Sequence, residues 1–180
     1  YVDRPLLQRE ATVQVADATW KRDATMQVRG QILYSNIQQQ ANSLNGEQSI
    51  DSQDYAGWAS AHFAPNDNWF HVLYLSHYGD EFDMNDMGYM KRNDFSELYA
   101  STRYSQLEYP AASSLLSSSR EIKYGYTENM DGDRLQLWFD TAFEWVFRSS
   151  QKLEAGIGGN ASGWDDRITR GNGVVAMPAH

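Results

Sequence analysis

The chain has 180 residues, enough for one domain with its own core, and no internal boundary interrupts it from residue 1 to 180. Hydrophobic residues make up 41% and aromatics 13%, with 6 Trp and 11 Tyr, which is too aromatic for a disordered chain. The formal net charge is −9 and the Lys and Arg residues are scattered, so nucleic acid is not expected as a partner. There is no Cys, hence no disulfide and no thiolate metal site. Mean hydropathy is −0.65, and no run approaches the ~20 apolar residues of a membrane helix. That argues against a helical membrane protein but not against a barrel, whose apolar residues alternate with polar ones. The chain starts at Tyr1 and shows no signal peptide, so it is expected to be processed or a section of something longer.

Alternation with period two runs through most of the sequence and predicts eight strands. They fall at residues 11–20, 25–36, 55–64, 69–79, 94–106, 119–128, 134–148 and 153–162. In the second, Met26, Val28, Gly30, Ile32 and Tyr34 form one face against Gln27, Arg29 and Gln31. The fourth is apolar on both faces near Leu73. In the fifth, Leu98, Ala100, Thr102 and Tyr104 stand against Glu97, Ser101 and Arg103. The sixth sets Ile122, Tyr124 and Tyr126 against Glu121 and Lys123. The seventh is the clearest, with Leu137, Phe139, Thr141, Phe143, Trp145 and Phe147 on one side. It is longer than the ~9–11 residues a tilted membrane strand needs. Segments 11–20, 55–64 and 153–162 alternate more weakly. Short connections at residues 21–24, 65–68 and 149–152 face long ones at 37–54 and 79–93, the asymmetry of a membrane barrel. Connections 107–118 and 129–133 break the rule. Trp20, Trp58, Trp69 and Trp145 lie near predicted strand ends, where membrane-interface aromatics are expected. A soluble sandwich with a core of aromatics is the alternative reading of the same residues.

Several stretches carry candidate chemistry. Asp80, Asp83 and Asp86 lie in one acidic loop and are candidates for Ca²⁺, although their spacing does not follow an EF-hand and a solvated loop is the default. Asp131-Gly132 reads as a hairpin turn. His71 and His77 are about 20 Å apart on one strand face at ~3.3 Å per residue, too far for one metal. No nucleophile elbow is present, and a hydrolytic pair such as His71 with Ser76 has no motif behind it. No cofactor and no catalytic residue is expected. Arg92 and Asp94, two apart on a predicted strand, would share a face and could pair inside a polar lumen or on an ordinary surface. Gly88 would allow the long loop to re-approach the wall closely.

Several of these stretches together resemble a known family. They are Val15-Ala-Asp17 with Arg22, Gln31-Ile-Leu-Tyr-Ser35, Gly79-Asp80-Glu-Phe82, and Asp86-Met-Gly88-Tyr-Met-Lys-Arg92-Asn-Asp94-Phe. In order and spacing they resemble domain-of-unknown-function family 5916, most strongly from about Val15 to Ile157. The resemblance implies an outer-membrane β-barrel that often follows a family-nine-type carbohydrate-binding domain, which this sequence lacks. It marks Asp17, Arg22, Gly88, Arg92 and Asp94 as motif residues and implies no enzymatic ones.

The expectation is therefore an all-β, antiparallel, up-and-down transmembrane barrel of about eight strands, a section of a larger one, in a bacterial outer membrane. Its expected partners are the lipid bilayer, a small solute or carbohydrate, and further strands or a carbohydrate-binding domain outside this chain. Two alternatives are a soluble, periplasmic or secreted sugar-binding sandwich and an envelope hydrolase on a barrel scaffold.

Overall fold

The computed structural model describes residues 1–4, 9–40, 49–85, 90, 92–165 and 175–180, and among them every regular element is a strand. In chain order these are β1 (Val2–Arg4), β2 (Arg9–Lys21), β3 (Met26–Gln39), β4 (Ile50–Asn66), β5 (Trp69–Tyr78) and β6 (Phe95–Gln106). Then follow β7 (Leu115–Glu128), β8 (Arg134–Phe147), β9 (Lys152–Asn160), β10 (Gly163–Asp165) and β11 (Val175–Met177). β1 to β9 form one antiparallel sheet in which each strand pairs with its neighbour in sequence, an up-and-down meander. β1 and β9 are its two edges, so the described strands form an open sheet and do not close into a barrel. β10 and β11 make a separate antiparallel ribbon.

All eight strands read from alternation are present. β4 begins at Ile50 rather than residue 55, because its ladder with β3 continues from Leu33–Ala56 out to Gln39–Ile50. Asp51, Ser52, Gln53 and Asp54 are polar on both faces, so hydropathy does not mark that part of the strand. β7 likewise begins at Leu115, across a register shift between Leu115 and Ser117, where a Ser run hides the alternation. The connection expected at 107–118 is thus only residues 107–114. It is stapled by Arg148, whose guanidinium donates to the carbonyls of Ser113 (3.0 Å) and Tyr109 (3.0 Å). Residues 129–133 form the predicted tight turn. Gly132 adopts φ 83°, and its N–H donates to the Asn129 carbonyl at 3.1 Å. β1, β10 and β11, of three residues each, are too short to leave a periodic signal.

Directly paired residues of an antiparallel ladder project to the same side. The registers therefore sort the sheet into two faces. One face holds Val28, Gly30, Ile32, Ala59, Leu73, Leu75, Leu98, Ala100, Ile122, Leu137, Phe139 and Ile157. Its charged side chains in the paired registers are Asp3, Glu10, Asp51, Glu128 and, across a register shift, Arg134 at the end of the long connections, and Arg120 between Tyr104 and Phe143 toward the other end. The opposite face carries charge along the middle of its strands: Asp17, Arg29, Glu97, Arg103, Glu121, Lys123 and Asp140.

Burial runs opposite to that of a water-soluble sheet. Ile32 is 65% exposed, Ile157 66%, Ile122 61% and Phe139 50%, whereas Ser35 on the charged face is 0% exposed and Ser76 and Ser101 are each 6%. Among the described residues there is no helix, and the further sheet, the β10–β11 ribbon, lies beside the start of β8. The small buried cluster of the molecule, Leu33, Ala56 and Phe82, sits on the charged face instead.

The β2–β3 turn is held by Asp23. Its carboxylate accepts from the Thr25 hydroxyl and the Thr25 N–H (2.7 Å) and pairs with Arg22 at 3.1 Å. The Thr25 contacts, then Arg22, pull its pKa down to about 2. The folded-state value lies below the unfolded one, so any stabilisation by Asp23 is complete above about pH 4 and is lost as pH falls through about 2. NMR titration of the folded protein should place the Asp23 midpoint near 2, and Thr25→Val should move it up toward the ordinary 3.8. An unmoved midpoint in the variant would show that the turn is not built this way.

Candidate functional site

The β5–β6 connection does not project away from the sheet. It folds back over the charged face of β3 and β4. Gly79 starts it, its N–H donating to the Tyr55 carbonyl at 3.1 Å and its own carbonyl accepting from Phe82 (3.3 Å) and Asp94 (3.1 Å). The Asp54 carboxylate lies so close over Gly79 that a β-carbon there would collide with all three of its terminal atoms. A side chain at the first position of the Gly79-Asp80-Glu81-Phe82 stretch would therefore displace the Asp54 carboxylate. The same carboxylate accepts the Glu81 N–H at 3.1 Å, and Ser52 donates its hydroxyl to the Glu81 carbonyl at 2.7 Å. Asp83 donates its N–H to Ser35 Oγ at 3.2 Å and pairs with Arg9 at 3.5 Å. Between these polar ties Phe82, 0% exposed, packs on Leu33 and Ala56, with Tyr78, Met84 and Met90 around it.

Beside this loop is a cavity of about 500 Å³. Its floor is the polar face, with Ser76, Glu97, Gln31 and Gln136, and its sides include Tyr74, Tyr78 and Phe95. Met84, Met90 and Arg92 of the loop border it. Tyr78 and Phe95 stack at 5.0 Å with planes 11° apart, and Trp58 stacks on Tyr74 at 6.3 Å. Farther along the face, Glu121 is a node of charge. It accepts from Ser101 Oγ (3.0 Å) and Arg103 (3.0 Å) and pairs with Lys123 at 3.3 Å; Lys123 reaches Asp140 at 4.0 Å. Lys152 bridges Glu144 (2.8 Å) and Glu154 (2.7 Å). Such pairs, within a strand and between neighbouring strands, largely neutralise one another. The Trp138 indole lies over Gly125, where any side chain would strike it, and reaches toward Tyr99 at 6.1 Å.

The residues singled out from sequence are distributed unevenly. Asp17 lies on the charged face of β2, opposite Gln31. Arg22 is in the β2–β3 turn, away from the cavity. Arg92 and Asp94 precede β6 and are not on a strand, which corrects the expected shared strand face. Asp94 has φ 55° and uses its carboxylate to accept the Met130 N–H at 2.8 Å, tying the loop end to the β7–β8 turn. Arg92 lies over the Phe95 ring, 5.6 Å from its centroid, and donates to the Asn93 carbonyl at 3.3 Å. Gly88 and Asp86 lie outside the described residues. Of the other Ca²⁺ candidates, Asp80 accepts the Glu81 N–H (3.0 Å) and Asp83 is occupied by Arg9 and by Asn85, whose N–H it accepts at 2.8 Å. Among the described residues no three acidic or His side chains converge on a common centre.

Trp20 and Trp69 lie on the apolar face near strand ends, 53% and 38% exposed, and Trp145 lies on that face too. Trp58 does not. It stands mid-strand on the charged face, its Nε1 donating to Gln31 at 3.2 Å, because β4 extends well beyond the segment read as strand and the residue's parity is that of Asp54 and Ser60. His71 and Ser76 project from opposite faces of β5, since their separation is odd, so they cannot act together. His71 is engaged by Thr102 at 3.1 Å. Asp54, Ser76 and Glu97 were not marked by any motif, whereas Phe82 closes the Gly79-Asp80-Glu81-Phe82 stretch. For the first three the signal was parity: each falls on the side opposite the apolar run.

Asp54 is the tie on which the loop most depends. Asp54→Ala should free the segment 79–85, read as faster amide exchange at Glu81 and Phe82 with the β6–β9 amides unchanged. Equal exchange in the two proteins would mean that Phe82 burial and the ties from Ser35, Ser52 and Arg9 hold the loop without Asp54.

Residues 2–169 match the family model described as Domain of unknown function (DUF5916). No curated protein and no solved structure matches the chain at a significant level. The match spans nearly all of the 180 residues, including every strand of the open sheet and the loop folded over it, and the chain belongs to the DUF5916 family.

Proposed function

We propose that this chain is part of the wall of a bacterial outer-membrane β-barrel that binds or passes a polar solute, with carbohydrate-related material as the favoured cargo. The observation that carries this reading is the inverted burial of the sheet. Its apolar face is the more exposed one, and most of its charges, with the buried Ser hydroxyls and the loop, gather on the other. In water, exposing side chains such as Ile32, Phe139 and Ile157 is unfavourable by about 25 cal/mol per Å². In a bilayer the same surface needs no covering layer, and the polar face becomes the interior.

Dimensions support it. β2 to β8 are 10 to 17 residues long, against the ~9–11 that span a bilayer when tilted. Trp20, Phe63, Trp69, Tyr104 and Trp145 lie toward one end of the apolar face and Tyr34, Tyr55 and Tyr126 toward the other. On β3, Met26 to Tyr34 covers about 26 Å along the strand at ~3.3 Å per residue, close to the ~25 Å apolar band of such barrels. The two edges of the sheet point to additional strands that complete the wall, because an open edge in hydrocarbon leaves backbone groups unpaired.

The protein should fractionate with outer membranes, require detergent for extraction, and migrate differently in unboiled and boiled gel samples. Phe139→Arg, at the middle of the lipid-facing band, should destabilise the folded state in bilayers by about 2–4 kcal/mol, while Gln136→Arg on the interior face should cost far less. Recovery as a stable monomer in detergent-free buffer would sink the membrane reading.

A further inference from the structure

We propose that the cavity beside the β5–β6 loop is a binding site for a neutral, polyhydroxylated ring, the chemistry of a pyranose; this deepens the barrel reading and rests on the polar face being its interior. The first support is an unmet polar group. Ser76 Oγ is buried, its residue 6% exposed, and has no hydrogen-bond partner among the described residues. Buried hydroxyls without partners are rare because desolvation is not recovered, and this one lines the cavity. A ligand hydroxyl supplies what the fold leaves out.

The second support is the lining. Tyr74, Tyr78 and Phe95 put three rings into the lining, with Tyr78 stacked on Phe95 at 5.0 Å and Arg92 over the Phe95 ring. Between the rings stand Gln31, Thr127 and Gln136, uncharged groups that include both donors and acceptors. The charged groups, Glu97 and Arg92, are opposite in sign, so the site has no net preference for an ion. A ligand suited to this must offer apolar C–H faces to the rings and hydroxyls that both give and accept at its edge. The volume of about 500 Å³ lies within the ~300–1,000 Å³ of small-molecule sites. Met84 and Met90 border the cavity from the loop, and their unbranched side chains repack readily around an incoming ring.

The test is calorimetric titration of the complete barrel that contains this chain, in lipid nanodiscs, with maltotetraose, and with choline and oligogalacturonate as charged comparators. Maltotetraose should bind and both comparators should bind at least tenfold more weakly. Ser76→Ala should weaken maltotetraose about three- to tenfold, the range of one hydrogen bond, while leaving the thermal midpoint equal or higher because an unpartnered buried hydroxyl has been removed. Gln136→Ala, at the exposed rim, should weaken binding without affecting folding. The proposal is overturned if the bilayer-inserted protein gives no heat with maltotetraose, if a charged comparator binds better, or if both variants bind as the parent does. Sugar binding by a protein that stays in detergent-free buffer would instead overturn the barrel reading and leave the site standing.

Discussion

The structure depends on one constraint: a single-layered sheet has two faces, and in this chain they are opposites. Along β3 the residues Val28, Gly30 and Ile32 alternate with Arg29, Gln31 and Leu33, and the ladders carry that parity across to β9, with register shifts confined to strand ends. A one-residue slip anywhere would put Arg29, Glu121 or Asp140 among Ile32, Ile122 and Phe139. The hydrophobic pattern therefore specifies the register, and the register in turn assigns each side chain its surroundings.

The loop after β5 follows from the same separation. A segment bearing Phe82, Met84 and Met90 needs somewhere to bury apolar surface, and on the charged face Leu33 and Ala56 offer a small apolar patch. The patch alone would be a weak anchor. Around it Asp54, Ser52, Ser35 and Arg9 meet the backbone and side-chain groups of residues 79–83, so that burying Phe82 leaves few polar groups unsatisfied. Hydrophobic contact and hydrogen bonding thus act at one place, and together they shape the cavity under the loop.

The charges elsewhere on that face serve a different end. Glu121 with Arg103 and Lys123, and Lys152 with Glu144 and Glu154, form short cross-strand sets whose signs nearly cancel. They keep the face polar without concentrating either sign near the cavity, whose lining is mainly uncharged and includes three aromatic rings. The face thus combines charge-balanced sets with a recess, lined in part by Tyr74, Tyr78 and Phe95, next to the loop.

Strand identity was legible wherever one face was apolar and the other polar, as in Leu137–Phe147 against Gln136–Val146, because period two is a property of the backbone itself. It was illegible at Asp51–Asp54 and Ser117–Ser119, where both faces are polar and only the partner strand decides that the chain stays extended. The tight turn at Gly132 was legible because Asp-Gly admits positive φ. The placement of Trp58 was not, since its face depends on where β4 begins. The cavity could not be read at all: Gln31, Ser76, Phe95 and Gln136 come from four strands, and nothing local says that the segment after Gly79 turns inward. By itself the sequence determined the strands, their two faces and the separation of charge, all of which follow from alternation. Only the tertiary structure decided that the loop seats Phe82 on the polar face and leaves the Ser76 hydroxyl unpartnered, because both depend on contacts between residues far apart in the chain.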